Sequence, residues 1–404
     1  MLGPSLPRRS QSIFNQVAQS EYISPSQVAY SHQSNLIRGD HGQINPTKPY
    51  HHLRRFRLSR VALRASPISR PWLDAPELPR NSPCRLLQQC QRQLHRLRPL
   101  EQLGVWSPGE KLHLLVGSSA KRRYTKPVYP HALAKPLPTG SLCSIAPGIE
   151  VLSPTMIATQ YASRHSFGQA YAFFEELCSE ITLAEPGYEE WLPGDIENEM
   201  STAEDDTSNK TVSIPIIGCF KSEPALSPSE LTNWLKKVNY LPGLKQAHAV
   251  APYVLGNARS PMEIMMFGMF CLPMLRGGFA CKGGISNCRI DFEEEAIAVS
   301  GMPYAIGDLV FPSSREILEY KGHPHDSKES RIRDEKREAG LSAMGFRTTS
   351  INSDQIKDAA ALEAIAKRLY RQAGLRFRCT IDASRTRQYK LMKELATWMK
   401  DENE

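Results

Sequence analysis

No apolar run in the chain is long enough to cross a bilayer. The longest, Ile264 to Leu275, is twelve residues and is broken by Gly268 and Pro273, against the roughly 20 that a spanning helix needs. Cysteine is scarce and shows no pairing pattern: nine residues, an odd number, with no Cys-x-x-Cys spacing. That argues against a disulfide framework and a zinc ribbon, and fits a reducing, cytoplasmic setting without a membrane partner. Acidic residues are nearly missing from the first third. Residues 1–140 hold 21 Lys and Arg against 6 Asp and Glu, whereas the remainder holds 29 against 36. A field of that sign favours polyanions without reading their sequence.

Sustained apolar periodicity is also absent from residues 1–70, where Ser, Gln, Pro and Arg dominate and Glu21 and Asp40 are the only acids. This segment is expected to be a disordered basic arm. Its composition overlaps that of an organellar transit peptide, which leaves targeting open. The 404-residue chain, 41% hydrophobic, otherwise has ample material for two or three domains.

Residues 71–256 are expected to form a small mixed domain. Leu86, Leu87, Leu94 and Leu97 are spaced for a helix among arginines, Lys111–Val116 and Gly148–Val151 read as strands, and Ser153-Pro154 gives a cap and first-turn proline. A helix from Ser166 to about Glu180 should bury Tyr171, Phe174, Leu177 and Cys178. Residues 185–210 are acidic and polar and read as a flexible insertion. Helices follow at Ser229–Val238 and about Gly243–Leu255.

The pattern sharpens over residues 257–375. Ser260-Pro261-Met-Glu263 opens an apolar helix. A glycine-rich turn leads to strands expected at Arg289–Val299, Tyr304–Phe311 and Glu316–Tyr320, a meander. A helix over Lys328–Met344, a strand over Phe346–Ile351 and a helix over Asp354–Gln372 follow. Residues 376–404 add a C-terminal helix with Leu391, Leu395, Trp398 and Met399 at core spacing.

The second and third strands carry Asp308 and then, after ten residues, Glu319-x-Lys321. Carboxylates on adjacent strands can hold Mg2+ (or Mn2+) through hard oxygen ligands while leaving positions for water and a phosphate oxygen. Lys321 is placed to orient the water or stabilise the phosphate. Glu263 is either an auxiliary acid of that site or an ordinary first-turn acid offsetting the helix dipole.

These residues, with Gly322-x-x-His325, Asp334-x-x-Arg337, Leu341, Gly345 and Phe346, resemble the PD-(D/E)XK nuclease superfamily, in particular its very-short-patch-repair endonuclease-like branch, over about Ser260 to Gly374. The third motif residue is often not lysine in that branch; here it is. The resemblance implies an α/β (α+β) fold whose C-terminal part is a restriction-endonuclease-like mixed sheet flanked by helices. It also implies metal-dependent hydrolysis of DNA phosphodiesters. Asp308, Glu319 and Lys321 would be catalytic, Asp308 and Glu319 the metal ligands, Glu263 and His325 auxiliary, and Arg331 and Arg337 contacts to nucleic-acid backbone. From spacing alone, Asp334 and Arg337 form an i,i+3 surface ion pair, and Ile332, Ala339 and Ala343 are expected to face the sheet. The middle region more weakly resembles abortive-infection antitoxin-type proteins, which implies the alternative of a non-catalytic nucleic-acid-binding regulator reusing the nuclease fold.

Overall fold

The computed structural model describes residues 60–63, 112–116, 128–132, 137–146, 149–183, 219–321, 328–378 and 381–399. Three sheets and nine α-helices are defined among them. The expected helix among Leu86–Leu97, the acidic insertion 185–210 and the Gly322-x-x-His325 motif lie outside the described residues, which resume after the insertion at the strand Cys219–Lys221.

The first sheet contains β1 (Arg60–Leu63), β2 (Leu112–Val116), β3 (Val128–Ala132), β4 (Leu142–Ala146) and β5 (Ile149–Leu152), in the order β3-β2-β1-β5-β4. β1 is its central strand, parallel to β2 and antiparallel to β5. Of the arm expected over residues 1–70, only this strand lies among the described residues. Val61 and Leu63 alternate correctly for a strand, but four residues are too short a run to register as a period among the surrounding arginines.

A helical layer follows. α1 (Pro154–Ala162) starts with Pro154 after Ser153, whose hydroxyl accepts the Met156 N–H at 3.3 Å. α2 (Phe167–Leu177) has a full capping box in which Ser166 and Gln169 satisfy each other's backbone N–H. The short strands β6 (Ile181–Leu183) and β7 (Cys219–Lys221) pair antiparallel, and α3 (Pro228–Lys237) and α4 (Leu244–Val250) complete the layer.

The remaining elements run helix, strand, short helix, two strands, helix, strand and two helices. α5 (Pro261–Cys271) precedes β8 (Ile285–Asp291), the short α6 (Glu294–Ser300), β9 (Tyr304–Phe311) and β10 (Glu316–Tyr320). α7 (Lys328–Ala343), β11 (Arg347–Ile351), α8 (Ala359–Gln372) and α9 (Ile381–Met399) follow. The sheet order is β11-β10-β9-β8. β8, β9 and β10 form the expected antiparallel meander, and β11 returns parallel to β10 after the α7 crossover.

The strand expected at Arg289–Val299 is instead the end of β8 followed by α6. The acids Glu294 and Glu295 sit in the first turn of α6, where they complement the helix dipole, and Gly301 closes it in the left-handed conformation. The strand also begins earlier, directly after the Gly283-Gly284 turn.

α5 is apolar on every side and buried, with Ile264, Met265, Met266, Phe267, Met269 and Phe270 all fully covered. It runs through a core shared by α2, α8, α9 and the Leu309, Phe311 and Leu318 side of the sheet. Gly268 permits this closeness: a Cβ there would stand 2.9 Å from the Tyr171 ring and 3.1 Å from Leu395. The boundary expected at residue 256 therefore does not separate two interiors. One apolar cluster extends from Leu137 to Met399.

The opposite side of the sheet is covered by α6 and α7. The inward face of α7 is Arg337, Gly340, Leu341 and Met344, at i, i+3, i+4 and i+7, whereas Ile332 and Ala343 are exposed. The expected apolar face is thus rotated. An arginine and a glycine occupy half of the real one, and apolar counting passes over both. A Cβ at Gly340 would lie 2.3 Å from the Phe292 ring, so the α7 backbone rests directly on that side chain.

Candidate active site

Asp308 lies in β9, next to the third strand. The β9–β10 register pairs Phe311 with Glu316, Val310 with Ile317 and Leu309 with Leu318, and one further step brings Glu319 opposite Asp308. There the ladder changes character: the Tyr320 N–H donates to Asp308 Oδ2 at 3.1 Å, so a side chain takes a backbone donor. Burial, reinforced by the charges of Glu263 and Glu319, pushes the Asp308 carboxyl up to about 7 against the opposing effects of the Tyr320 N–H and Arg337.

Glu319 is buried and paired with Arg337 from α7. Nη1 donates to Oε2 at 3.1 Å, Nη2 donates to Oε1, and Nη2 also donates to the Ile306 carbonyl at 2.5 Å. Burial opposes the Arg337 charge, but the hydrogen bonds and charge of Glu319, with the charges of Asp308 and Asp334, hold the guanidinium above its usual value. Arg337 therefore does not form the simple surface pair with Asp334 that its spacing suggests. It sits on the buried face of α7 and reaches into the sheet.

Glu263 is a buried acid in the first turn of α5. It caps its own helix, with Oε2 accepting the Arg259 N–H at 3.0 Å and Oε1 accepting the Ser260 hydroxyl at 2.9 Å. Asn287 of β8 donates to Oε2 at 2.8 Å and also to the Asn257 carbonyl. Its charge nevertheless reaches Asp308. The other acid of β10, Glu316, points away from this group into an ion pair with Arg368 at 2.6 Å and a hydrogen bond from Thr349.

Lys321 follows β10, where its N–H donates to the Ile351 carbonyl at 2.9 Å and its side chain is exposed. His325 lies outside the described residues. Arg331 is exposed on α7, as are Arg333 and Lys336. The structure thus brings Glu263 and Glu319 each into electrostatic range of Asp308, with Arg337 bound to Glu319 and Asn287 to Glu263. Arg337 was legible as part of a motif, though not its target across the sheet; no motif marked Asn287.

The donor chemistry of the three carboxylates suits a hard divalent ion. In the arrangement present, both Glu319 oxygens are engaged by Arg337, and among the described residues no three acidic, histidine or cysteine side chains stand close enough together to hold one. The raised Asp308 carboxyl reflects its burial first and the charges of Glu263 and Glu319 second. Such a group can accept a cation, or a proton at Asp308. Among the described residues, no helix is long and apolar enough to cross a membrane. Compared with family models, curated proteins and solved structures, the chain shows no match.

Proposed function

We propose that the chain is a metal-dependent endonuclease hydrolysing DNA phosphodiester bonds, built on a PD-(D/E)XK-type core. The reading is carried by the placement of Asp308 and Glu319 on neighbouring strands, with the charges of Glu319 and of Glu263 from the preceding helix both bearing on Asp308. The order α5, β8, the short α6, β9, β10, α7 and β11, with β11 parallel to β10, supports it.

Asp308 and Glu319 would hold Mg2+ or Mn2+, with Glu263 as the auxiliary acid. When bound, the ion supplies Lewis acidity and offsets charge on the phosphate. Lys321, exposed just beyond β10, would hold a phosphate oxygen or orient the attacking water. Arg331, Arg333 and Lys336 are exposed on α7 among the exposed acids Asp334, Glu335 and Glu338, and in this reading they would contact the phosphate backbone without selecting a base. His325 stays an auxiliary candidate on the strength of its motif.

The Arg337–Glu319 ion pair favours a second reading, a nucleic-acid-binding regulator in which the guanidinium permanently neutralises the site. Purified protein incubated with supercoiled plasmid and Mg2+ or Mn2+ separates the two. Nicking that disappears in Asp308→Ala and Lys321→Ala supports the nuclease. DNA binding without cleavage under either metal supports the regulator.

A further inference from the structure

Residues 364–393 hold nine Lys and Arg against one acid, whereas the rest of residues 141–404 holds 20 against 35. Basic charge in this part of the chain is therefore gathered in one place: the end of α8, the loop after it and the first half of α9. Arg368 is turned inward onto Glu316, but Lys367, Arg371, Arg376 and Arg378 are exposed. The local fold draws them together. Gly374, left-handed at φ 70°, closes α8, and the Leu375 N–H returns to the Tyr370 carbonyl at 2.7 Å. The chain then doubles back, so that the Phe377 ring meets Tyr370 edge-on at 5.2 Å and Lys367 Nζ stands 5.8 Å from the Phe377 ring. Because Arg376 and Arg378 adjoin Phe377 in the chain, they share this corner with Lys367 and with Arg371, one turn further along α8.

Counter-charge is nearly missing there. Glu363 is buried and bound by two cations at once, Lys367 Nζ at 2.7 Å and Arg385 Nη2 at 3.0 Å, so one positive charge stays in excess. α7 is the contrast, since its exposed bases alternate with Asp334, Glu335 and Glu338. Crowded like charges repel and weaken a fold, and a polyanion relieves that repulsion. Three of the four exposed cations are arginines, whose planar fork fits phosphate oxygens two at a time. Among the described residues of this corner, Leu375 is the only well-exposed large apolar side chain, whereas a membrane-surface helix needs a whole apolar face to insert. The chemistry fits nucleic-acid backbone rather than lipid.

We propose that the α8–α9 corner is a phosphate-binding surface that holds a nucleic-acid duplex by its backbone. It lies on the side of the sheet that packs against α8, where Glu316 and Leu318 point, and Glu319 faces α7 on the other side. The surface goes beyond the hydrolytic reading and needs no metal, so it stands or falls separately from Asp308 and Glu319. Phosphate contacts of this kind supply affinity and orientation without reading sequence.

The test titrates the full chain, in chelator and over a range of KCl concentrations, against a short labelled DNA duplex and an RNA duplex of the same sequence, read by fluorescence anisotropy. The triple variant Arg371→Gln, Arg376→Gln, Arg378→Gln is compared with Lys236→Gln, Lys237→Gln, Lys245→Gln, which removes the same charge from exposed positions of α3 and α4. The first triple should lower the slope of log affinity against log salt by about 2 to 3 and weaken binding at least about tenfold at about 0.1 M salt, whereas the second should change the slope by less than about 1. A loss confined to one duplex supports the surface and names the nucleic acid it takes. Equal slopes and affinities for the two triples overturn the proposal, as does a wild type that binds neither duplex at low salt. Sedimentation with phosphatidylserine and phosphatidylcholine vesicles covers the lipid alternative: vesicle binding lost in the first triple while both duplexes stay bound overturns the proposal in favour of a membrane surface. Absence of plasmid nicking by wild type, with the slopes separating as expected, removes hydrolysis and leaves this surface standing. If thermal melts show that the first triple is not folded, Arg376→Gln against Lys236→Gln decides the matter, with a slope change of about 1 expected for the former alone.

Discussion

Replacing Asp308 by asparagine removes a charge that the fold disfavours. The folded carboxyl is pushed from 3.8 up to about 7, mainly by burial and then by Glu263 and Glu319. As pH rises from about 4, the unfolded chain releases this proton while the folded chain keeps it, so wild type loses stability until about pH 7 and then levels off. At about 1.4 kcal/mol per unit the full shift corresponds to about 4 kcal/mol. Asp308 is only partly buried, and solvent screening reduces this to about 2 kcal/mol. The substituted amide retains an oxygen to accept the Tyr320 N–H, so the ladder contact survives. In metal-free buffer with chelator, Asp308→Asn should match wild type near pH 4 and melt roughly 4 °C higher at pH 8 for a core of this size. Mn2+ should narrow the gap by stabilising wild type alone. A variant that melts lower than wild type at every pH, with a constant difference, would refute the raised Asp308 carboxyl.

The remaining expectations are independent of metal. Glu175 is fully buried, and burial pushes its carboxyl from 4.5 up to about 7 despite the Leu255 and Gly256 N–H groups and the Tyr171 hydroxyl it accepts. Its raised value means that the stability it confers is complete below about pH 4.5 and is lost as pH rises through 7, by up to about 3 kcal/mol. Urea melts of Glu175→Gln at pH 5, 6 and 8 should show this slope flattened, with the variant weaker at pH 5 by about 1–3 kcal/mol because glutamine offers one acceptor oxygen for two N–H groups. Gly340→Ala should cost about 1–3 kcal/mol in chemical denaturation, since its methyl must displace the Phe292 ring; an unchanged midpoint would mean that α7 does not rest on Phe292. Exposed Arg331 and Arg333 should each contribute to phosphate binding, so the double alanine variant should lower the salt slope of duplex binding by about 2 without moving the melting temperature.

Much of the second half of the fold was legible because local chemistry and burial agree there. Ser260-Pro261 starts a helix in both views, and Tyr304–Phe311 and Glu316–Tyr320 are strands with the expected ends. Legibility failed where a tertiary partner decides the outcome. Residues 296–299 are Ala, Ile, Ala and Val and read as a strand, yet three successive glutamates before them and Gly301 after them close a helix. β1 is set by strands that follow it in the chain by about 50 and 90 residues. The candidate site divides in the same way. Asp308, Glu319, Lys321 and Glu263 follow from strand and cap spacing, whereas the pairing of Arg337 with Glu319 depends on how α7 is rotated, which Gly340 and Phe292 determine.

The apolar interior shared by α2, α5 and α9 bears on how the polypeptide reaches its native state. Trp398 donates its indole N–H to Glu176 at 3.2 Å and Gly168 donates to Glu394 at 2.8 Å, joining partners more than 220 positions apart. During synthesis, Tyr171, Phe174 and Phe267 stay without their full cover until α9 has left the ribosome. A chain wired over such distances folds slowly and exposes sticky intermediates on the way. Proteolytic trimming that removes α9 should therefore strand the earlier helices as an aggregation-prone remnant, and expression of the segment before residue 257 by itself should yield insoluble material.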